Sequence, residues 1–250
     1  MLLKVLGSSS KGNCYLFESK SQVLILEAGL PLKAIKESLS FDLSRVVGCI
    51  ISHLHSDHSK CAEDFIKNGI PIYANKETIE HITNGVDSSL TTCISAPGRQ
   101  GCQFSVGDFR IVPFAVKHDV PTFGFLIRHE EMGLCAFITD THYIPNTFKG
   151  LNQILIEANY EERILNENLI DGKIDNMRYQ RVLRSHMSLE TCVEALKAND
   201  LKGVQNIVLI HLSPQNSDAK LFKSKVVEAT GKNTHIALKG LVIDFNKEPF

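Results

Sequence analysis

The chain has 250 residues, 43% of them hydrophobic, which is enough apolar material for one large α/β domain or two small ones. Lys and Arg total 27 against 28 Asp and Glu, a formal net charge of -1, so the overall charge gives no argument for nucleic acid or an anionic membrane. Any such partner must be met by a local patch. The seven cysteines (Cys14, Cys49, Cys61, Cys93, Cys102, Cys135 and Cys192) are scattered and include no Cys-x-x-Cys pair, the pattern of a reducing compartment rather than of a disulfide framework. No run approaches the roughly 18 apolar residues of a membrane span. Met1 to Gly7 reads as a first strand, too short for a secretory leader. The expectation is a soluble cytoplasmic protein with no membrane partner.

Short apolar or alternating runs predict strands over Leu2–Leu6, Cys14–Glu18 and Val23–Leu26, separated by the Gly/Ser-rich segment Gly7–Asn13 and by Lys20–Gln22. Pro31 opens a predicted helix that runs to about Leu39. The continuous apolar run Val46–Ile51 predicts a buried strand. His53-Leu-His-Ser-Asp-His58 follows at once, on the loop where that strand ends, and a helix is expected over Ser59–Lys67. Strands are expected at Phe104–Val106, Phe109–Val116, Phe123–His129 and Leu134–Thr139. After Asp140 come a short strand at Ile154–Ile156 and helices over Glu161–Leu169, Asp175–Leu183 and Leu189–Asn199. A buried strand at Val204–Ile210, a helix over Ser217–Ala229 and strands near His235 and at Leu241–Phe245 complete the reading. No repeat, low-complexity tract or Pro/Gly/Ser linker divides the chain. Two α/β halves are therefore expected to pack as one domain over residues 1–250, in the layer order helix, sheet, sheet, helix.

Four of the six residues His53 to His58 are metal-ligand types on a segment leaving a buried strand. His53 and His55 alternate as on extended chain and point to one side. Asp57 and His58 come after the turn and reach a neighbouring position, which suits two adjacent metals better than one. His118, Asp140 and His211 each directly follow an apolar strand. Any one of them alone reads as an ordinary capping residue; their shared strand-end position makes them candidates for the remaining ligands.

The series His53-x-His-x-Asp-His58, His118, Asp140, His211 resembles the ligand set of the metallo-β-lactamase fold hydrolases, over most of the chain. The resemblance implies an α/β fold of the four-layer αββα kind without the large inserted β-CASP domain. It implies that His53, His55 and His118 hold one divalent ion, that Asp57, His58 and His211 hold a second, and that Asp140 bridges both, the ions being Zn²⁺, Mn²⁺ or Fe²⁺. It also implies hydrolysis by a hydroxide bridging two metals, oriented or deprotonated by Asp57. One position departs from the pattern. Where the family carries Asp at the end of an early strand, this chain has Glu27, in Leu24-Ile-Leu-Glu-Ala-Gly29. The carboxylate supporting the ligand segment is one methylene longer, and a slight shift is expected there.

Three further segments resemble the YycJ-like (WalJ) exonuclease branch of that superfamily: Gly7-Ser-Ser-Ser-Lys-Gly-Asn-Cys14, Leu155-Ile-Glu-Ala-Asn159, and the pair Ser185-His-Met-Ser188 and Ile210-His-Leu-Ser-Pro214. Tyr160-Glu161 stands where the branch usually has His-Asp. The likeness implies that His186, oriented by Glu157, protonates the leaving oxygen of a phosphodiester; otherwise His186 only precedes a helix capped by Ser188. Arg178, Arg181 and Arg184 recur every three residues on a predicted helix, a stripe that either grips phosphates or faces solvent. The implied function is a metal-dependent phosphodiester hydrolase of the DNA exonuclease kind, with nucleic acid as its partner. A thioesterase or lactonase of the same fold and a degenerate metal-binding scaffold are the alternatives. His81, His129, His142 and His235 lack strand-end placement and read as solvent-facing or capping residues, His142 being close enough to Asp140 to support the centre; Ala96-Pro-Gly98 reads as a loop over the site mouth. The oligomeric state is left open.

Overall fold

The computed structural model describes residues 1–84, 88–95 and 103–248. Residues 96–98, expected over the site mouth, and Cys102 lie outside them. The first half contains β1 (Leu2–Gly7), β2 (Cys14–Glu18), β3 (Val23–Leu26), α1 (Leu32–Ser38), β4 (Val46–Ile50), α2 (Ser56–Ser59), α3 (Ala62–Lys67), β5 (Ile72–Ala74), α4 (Lys76–Thr83) and β6 (Thr91–Cys93). The second contains β7 (Phe104–Val106), β8 (Phe109–Val116), β9 (Thr122–His129), β10 (Gly133–Ile138), β11 (Gln153–Glu157), α5 (Glu162–Ile170), α6 (Asn176–Ser185), α7 (Leu189–Lys197), β12 (Asn206–Ile210), α8 (Ala219–Thr230), β13 (Asn233–Ile236) and β14 (Val242–Asp244).

Among the described residues these strands form two seven-stranded sheets, in the orders β14-β1-β2-β3-β4-β5-β6 and β13-β12-β11-β10-β9-β8-β7. Strands β3 to β6 are parallel, as are β10 to β13, so the two sheets each combine an antiparallel and a parallel part. The side-chain period of two explains why the central strands read as unbroken apolar runs. Leu24 and Leu26 point into the layer between the sheets, with Phe17, Phe125, Phe137, Leu155 and Val208. Val23 and Ile25 point the other way, into a second layer with Ile35 of α1, Phe65 of α3 and Ile82 of α4. On the far side, Ile154 and Ile156 meet Leu189, Cys192 and Leu196 of α7 and Phe222 and Val226 of α8. Three apolar layers require four structural ones, the expected order of helix, sheet, sheet, helix. Each fully buried Leu, Ile or Phe contributes about 1.5–3 kcal/mol to holding them together.

The structure corrects the reading in two places. The stretch between Ile70 and Cys93, for which the sequence pattern predicts no element, contains β5, α4 and β6. The motif does not lie wholly on a loop: Asp57 and His58 sit on the single turn α2, and the helix expected over Ser59–Lys67 is broken. The His55 carbonyl accepts from the amides of His58 and Ser59 at 2.9 and 3.0 Å, closing the turn. The Cys61 amide then donates to the Ala28 carbonyl at 2.9 Å, across to the segment after β3, which interrupts the helical ladder. No helix among the described residues is long and apolar enough to cross a membrane.

Candidate metal centre

Parallel strands end on the same side, and the polar groups at their carboxyl ends meet there. Glu27 follows β3 and His53 follows β4 in the first sheet; His118 follows β8, Asp140 follows β10, Glu157 ends β11 and His211 follows β12 in the second. Within this cluster His53 Nε2 lies 3.1 Å from His55 Nδ1, which lies 3.3 Å from His118 Nε2. Around a tetrahedral ion with bonds of 2.0–2.1 Å, neighbouring nitrogens stand roughly 3.3 Å apart. The three lone pairs are thus spaced as ligands of one cation.

A second group lies beside the first. Asp57 Oδ2 is 3.1 Å from His211 Nε2 and 3.3 Å from His58 Nε2. Asp140 Oδ1 is 3.3 Å from His58 Nε2, while Oδ2 is turned to the first group, 4.0 Å from His53 Nε2. Asp140 therefore offers one oxygen to each group. Asp57, His58, Asp140 and His211 have ligand atoms within 4.8 Å of one another, as do His53, His55, His118 and Asp140. All seven residues expected as ligands are brought together, in a donor set that fits two divalent ions.

The imidazoles are aimed from behind, since each ring nitrogen that is held decides what the other presents. His118 Nδ1–H donates to the Ser185 carbonyl at the end of α6, 2.7 Å away. The Ser52 hydroxyl pairs with His53 Nδ1 at 2.8 Å. Asp119 Oδ1 lies 3.5 Å from His55 Nε2, the nitrogen turned away from the ligand group, and 3.0 Å from His118 Nε2, on the ligand side of that ring. The buried Glu27 carboxylate lies 3.4 Å from His58 Nδ1 and accepts from the Ser52 amide at 3.3 Å. The extra methylene is accommodated in the backbone, because Glu27 adopts a left-handed φ of 67°. On the opposite edge of the His58 ring, Asn13 donates to Asp57 Oδ2 at 3.2 Å, and its side-chain nitrogen is 3.1 Å from His58 Nε2.

Glu157 is fully buried and saturated. Oε1 accepts from His186 Nδ1–H at 2.7 Å and from His211 Nδ1–H at 3.1 Å; Oε2 accepts from the amides of Thr141 at 2.9 Å and Met187 at 3.1 Å. The fields at the centre follow from this crowding. Burial, reinforced by the charge on His58, holds the His53 imidazole well below its ordinary pKa. Burial also works against a charge on His58, yet the Asp140 and Glu27 carboxylates outweigh it and hold that imidazole well above its ordinary value. His211 is pushed up to about 10, its burial overcome by Asp140 and by hydrogen bonds with Asp57 and Glu157. His186 is likewise raised, burial being outweighed by Glu157. Burial raises the Asp57 carboxyl, but its bonds with His211 and His58 bring it well below the usual carboxylate range. Without metal, protons on His58 and His211 supply the positive charge the carboxylates need.

His55, Asp57, Asp140, His186 and His211 open onto a cavity of about 190 Å³, also walled by Arg178 and Arg181 of α6. Arg184 does not line it. Steps of three residues fall about 60° short of a helical turn, so the stripe winds away from the site over six residues. His142 is exposed, and its backbone amide, not its ring, is held by the Lys117 carbonyl at 3.0 Å. Of the supporting residues, Ser52 and Asp119 have no role in the sequence reading, and Asn13 and Asn159 stand out there only as parts of family-like segments; Asn159 donates to the His211 carbonyl at 2.8 Å. Asp119 adjoins a candidate ligand, the one local signal that pointed to it.

Residues 31–212 match the family profile of the β-lactamase superfamily domain. The chain belongs to this superfamily. Exodeoxyribonuclease YycJ of Bacillus anthracis is 28% identical over 243 residues, covering 91% of this chain and 89% of that protein. Among solved structures, the metallo-β-lactamase fold protein YhfI from Bacillus subtilis superposes with a TM-score of 0.70 at 17% identity, over 97% of this chain and 98% of that one. The short form of human tRNase Z gives a TM-score of 0.68 at 14% identity, over 98% and 99% of the two chains. The fold is the metallo-β-lactamase fold. Family and ligand cluster together make this superfamily member a metal-dependent hydrolase.

Proposed function

We propose that the protein is a dinuclear phosphodiesterase that cuts DNA from its ends, residues 1–250 working as one hydrolase domain. His53, His55 and His118 would hold one ion, Asp57, His58 and His211 the other, and Asp140 both. Such a mixed imidazole and carboxylate set suits Zn²⁺ or Mn²⁺. Bound there, the ions would supply Lewis acidity to phosphoryl oxygens and lower the pKa of water toward neutrality.

The observation that carries the choice of a phosphodiester is the Glu157–His186 pair at the cavity wall. With Nδ1 committed to Glu157, His186 keeps Nε2 for substrate, and the Glu157 carboxylate favours the protonated ring, raising its pKa against the opposing effect of burial. An alkoxide is a poor leaving group and needs that proton; a lactone or thioester needs it less. Asp57 stays ionised and accepts a hydrogen bond from the attacking water, orienting it for in-line approach. Arg178 and Arg181 present guanidinium groups to the phosphates of the strand. The name of the Bacillus anthracis relative, an exodeoxyribonuclease, supports DNA as the substrate.

The test is turnover of bis(p-nitrophenyl) phosphate, end-labelled DNA and a thioester panel by Zn²⁺- and Mn²⁺-loaded protein. Phosphodiester turnover is expected, and its absence with both metals overturns the reading. In His186→Ala, DNA cleavage should fall about 10²–10⁴-fold with both metals retained. Turnover of bis(p-nitrophenyl) phosphate, whose leaving group departs unaided, should fall far less. Equal loss on both substrates would remove the acid role.

A further inference from the structure

A second cavity, of about 700 Å³, runs alongside the catalytic one, roofed by the Gly7–Gly12 segment and closed below by the loop after β13. The two adjoin. Leu212, Ser213 and Pro214 line both, and Ser10, in the wall of the catalytic cavity, stands between Ser9 and Lys11 of the groove. The floor is apolar, formed by Leu30, Leu212, Pro214 and Leu238. The rim carries Lys11 and Lys239, and no Asp or Glu is among the described residues that line it. Its volume lies in the range of pockets that enclose a ligand of nucleotide size.

The roof is fixed to the metal centre. Ser8 Oγ accepts from the His211 amide at 2.8 Å and pairs with the Tyr15 hydroxyl at 2.7 Å. The Lys11 carbonyl accepts from Lys60 at 2.6 Å. Gly12 allows the close approach, since a Cβ there would lie 2.4 Å from the Gly29 carbonyl oxygen. The floor loop is pinned to β1 by the Gly240 amide on the Val5 carbonyl at 2.8 Å and the Val5 amide on the Leu241 carbonyl at 2.9 Å. Yet Leu238 at its tip is 64% exposed. An apolar side chain held out beside a lysine, lining a groove that adjoins the hydrolytic centre, suits a ligand with flat apolar faces joined by anionic links.

We propose that this groove is the subsite for the nucleotides next to the scissile phosphate of a DNA strand, sugars and bases on the Leu30–Leu238 floor and phosphates toward Lys11 and Lys239. The proposal rests on the phosphodiesterase reading above. Apolar contact with bases and phosphate contacts from lysine are independent of sequence, so the groove holds a strand without selecting its bases.

The test uses the full chain with Leu238→Asp combined with Lys239→Glu, and separately Lys11→Glu, all at exposed positions that leave the core untouched. Binding of a fluorescein-labelled single-stranded oligodeoxynucleotide is followed by anisotropy on metal-free protein. Cleavage of the same strand and of bis(p-nitrophenyl) phosphate is followed on Mn²⁺-loaded protein. DNA affinity and kcat/KM on the strand should each fall about tenfold, with turnover of the small diester unchanged. Wild-type DNA affinity in the variants, with the small diester still hydrolysed, overturns the groove and leaves the phosphodiesterase standing. Failure of the wild type on both phosphodiesters overturns both. Loss confined to a long-chain acyl thioester would assign the groove to an acyl chain and overturn the proposal.

Discussion

Gly29→Ala tests how the second ligand group is positioned. The segment after β3 is stitched to α2 through the backbone: the Ala28 amide donates to the His58 carbonyl at 2.7 Å, the Asn13 amide to the Asp57 carbonyl at 2.8 Å, and the Gly29 amide to the Asn13 carbonyl at 3.0 Å. A Cβ on residue 29 would fall 1.8 Å from the Asp57 carbonyl oxygen and 2.6 Å from the Asn13 amide nitrogen. Both are backbone atoms with no rotamer to escape into. Restoring even a 3.0 Å contact moves the Asp57 backbone by about 1.2 Å. Metal–ligand distances tolerate only about 0.2 Å, so Asp57 and His58 leave ligating position, while His53, His55 and His118, outside the turn, keep theirs. Overpacking costs roughly 1–3 kcal/mol, and each kcal/mol lowers Tm by about 2–4 °C in a chain of this size. Elemental analysis should find metal content reduced from two ions to one per chain, and calorimetry a lower Tm. A Gly29→Ala protein with two ions and the wild-type Tm would refute the argument that backbone contact with Gly29 sets α2.

Other outcomes follow from the same geometry. Glu27→Ala leaves His58 Nδ1 without its carboxylate, and affinity for one of the two ions should drop about 10–100-fold by competition with a chromophoric chelator. Reversing Arg178 and Arg181 to Glu should weaken DNA binding and flatten its salt dependence, by about 0.7 in the log–log slope for each phosphate of a single strand that is no longer neutralised. Arg184→Glu, off the cavity wall, should leave both unchanged. In metal-free protein His211 carries a proton up to about pH 10, against 6.5 for the ordinary group. Its stabilising contribution is complete below pH 6.5 and is lost as the pH rises toward 10, so melts of chelator-treated protein should show Tm falling through that window. Metal uptake at pH 7 must expel this proton. Calorimetric titrations in buffers of different ionisation enthalpy should register its release.

How much was legible from sequence depended on how local the cause was. The spacing of His53, His55, Asp57 and His58 is a local pattern, and the apolar strands before His118, Asp140 and His211 place those residues at one end of a sheet. Strands β5 and β6 are three residues each, too short for a period to register, and α4 is mostly polar. The breaking of the helix after the motif depends on Cys61 meeting Ala28, a contact that exists only once β3 and β4 are paired. Asn13 reaches Asp57 across 44 residues of chain, which no window of sequence contains. Glu27 stood out as a substitution, but its left-handed backbone did not, because a long acidic side chain carries no preference for that conformation.

The candidate ligands hang from both sheets: His53, His55, Asp57 and His58 from the first, His118, Asp140 and His211 from the second. Ions held by these residues as proposed would act as a clasp across the layered core, which must open before the halves can part. Free metal concentration then becomes a determinant of how long the chain survives. A hundredfold excess over the dissociation constant adds about 2.7 kcal/mol to the folded state, enough to decide between persistence and degradation in a protein of ordinary stability. A cell starved of the metal would lose the protein itself through turnover, rather than keep an idle reserve of it.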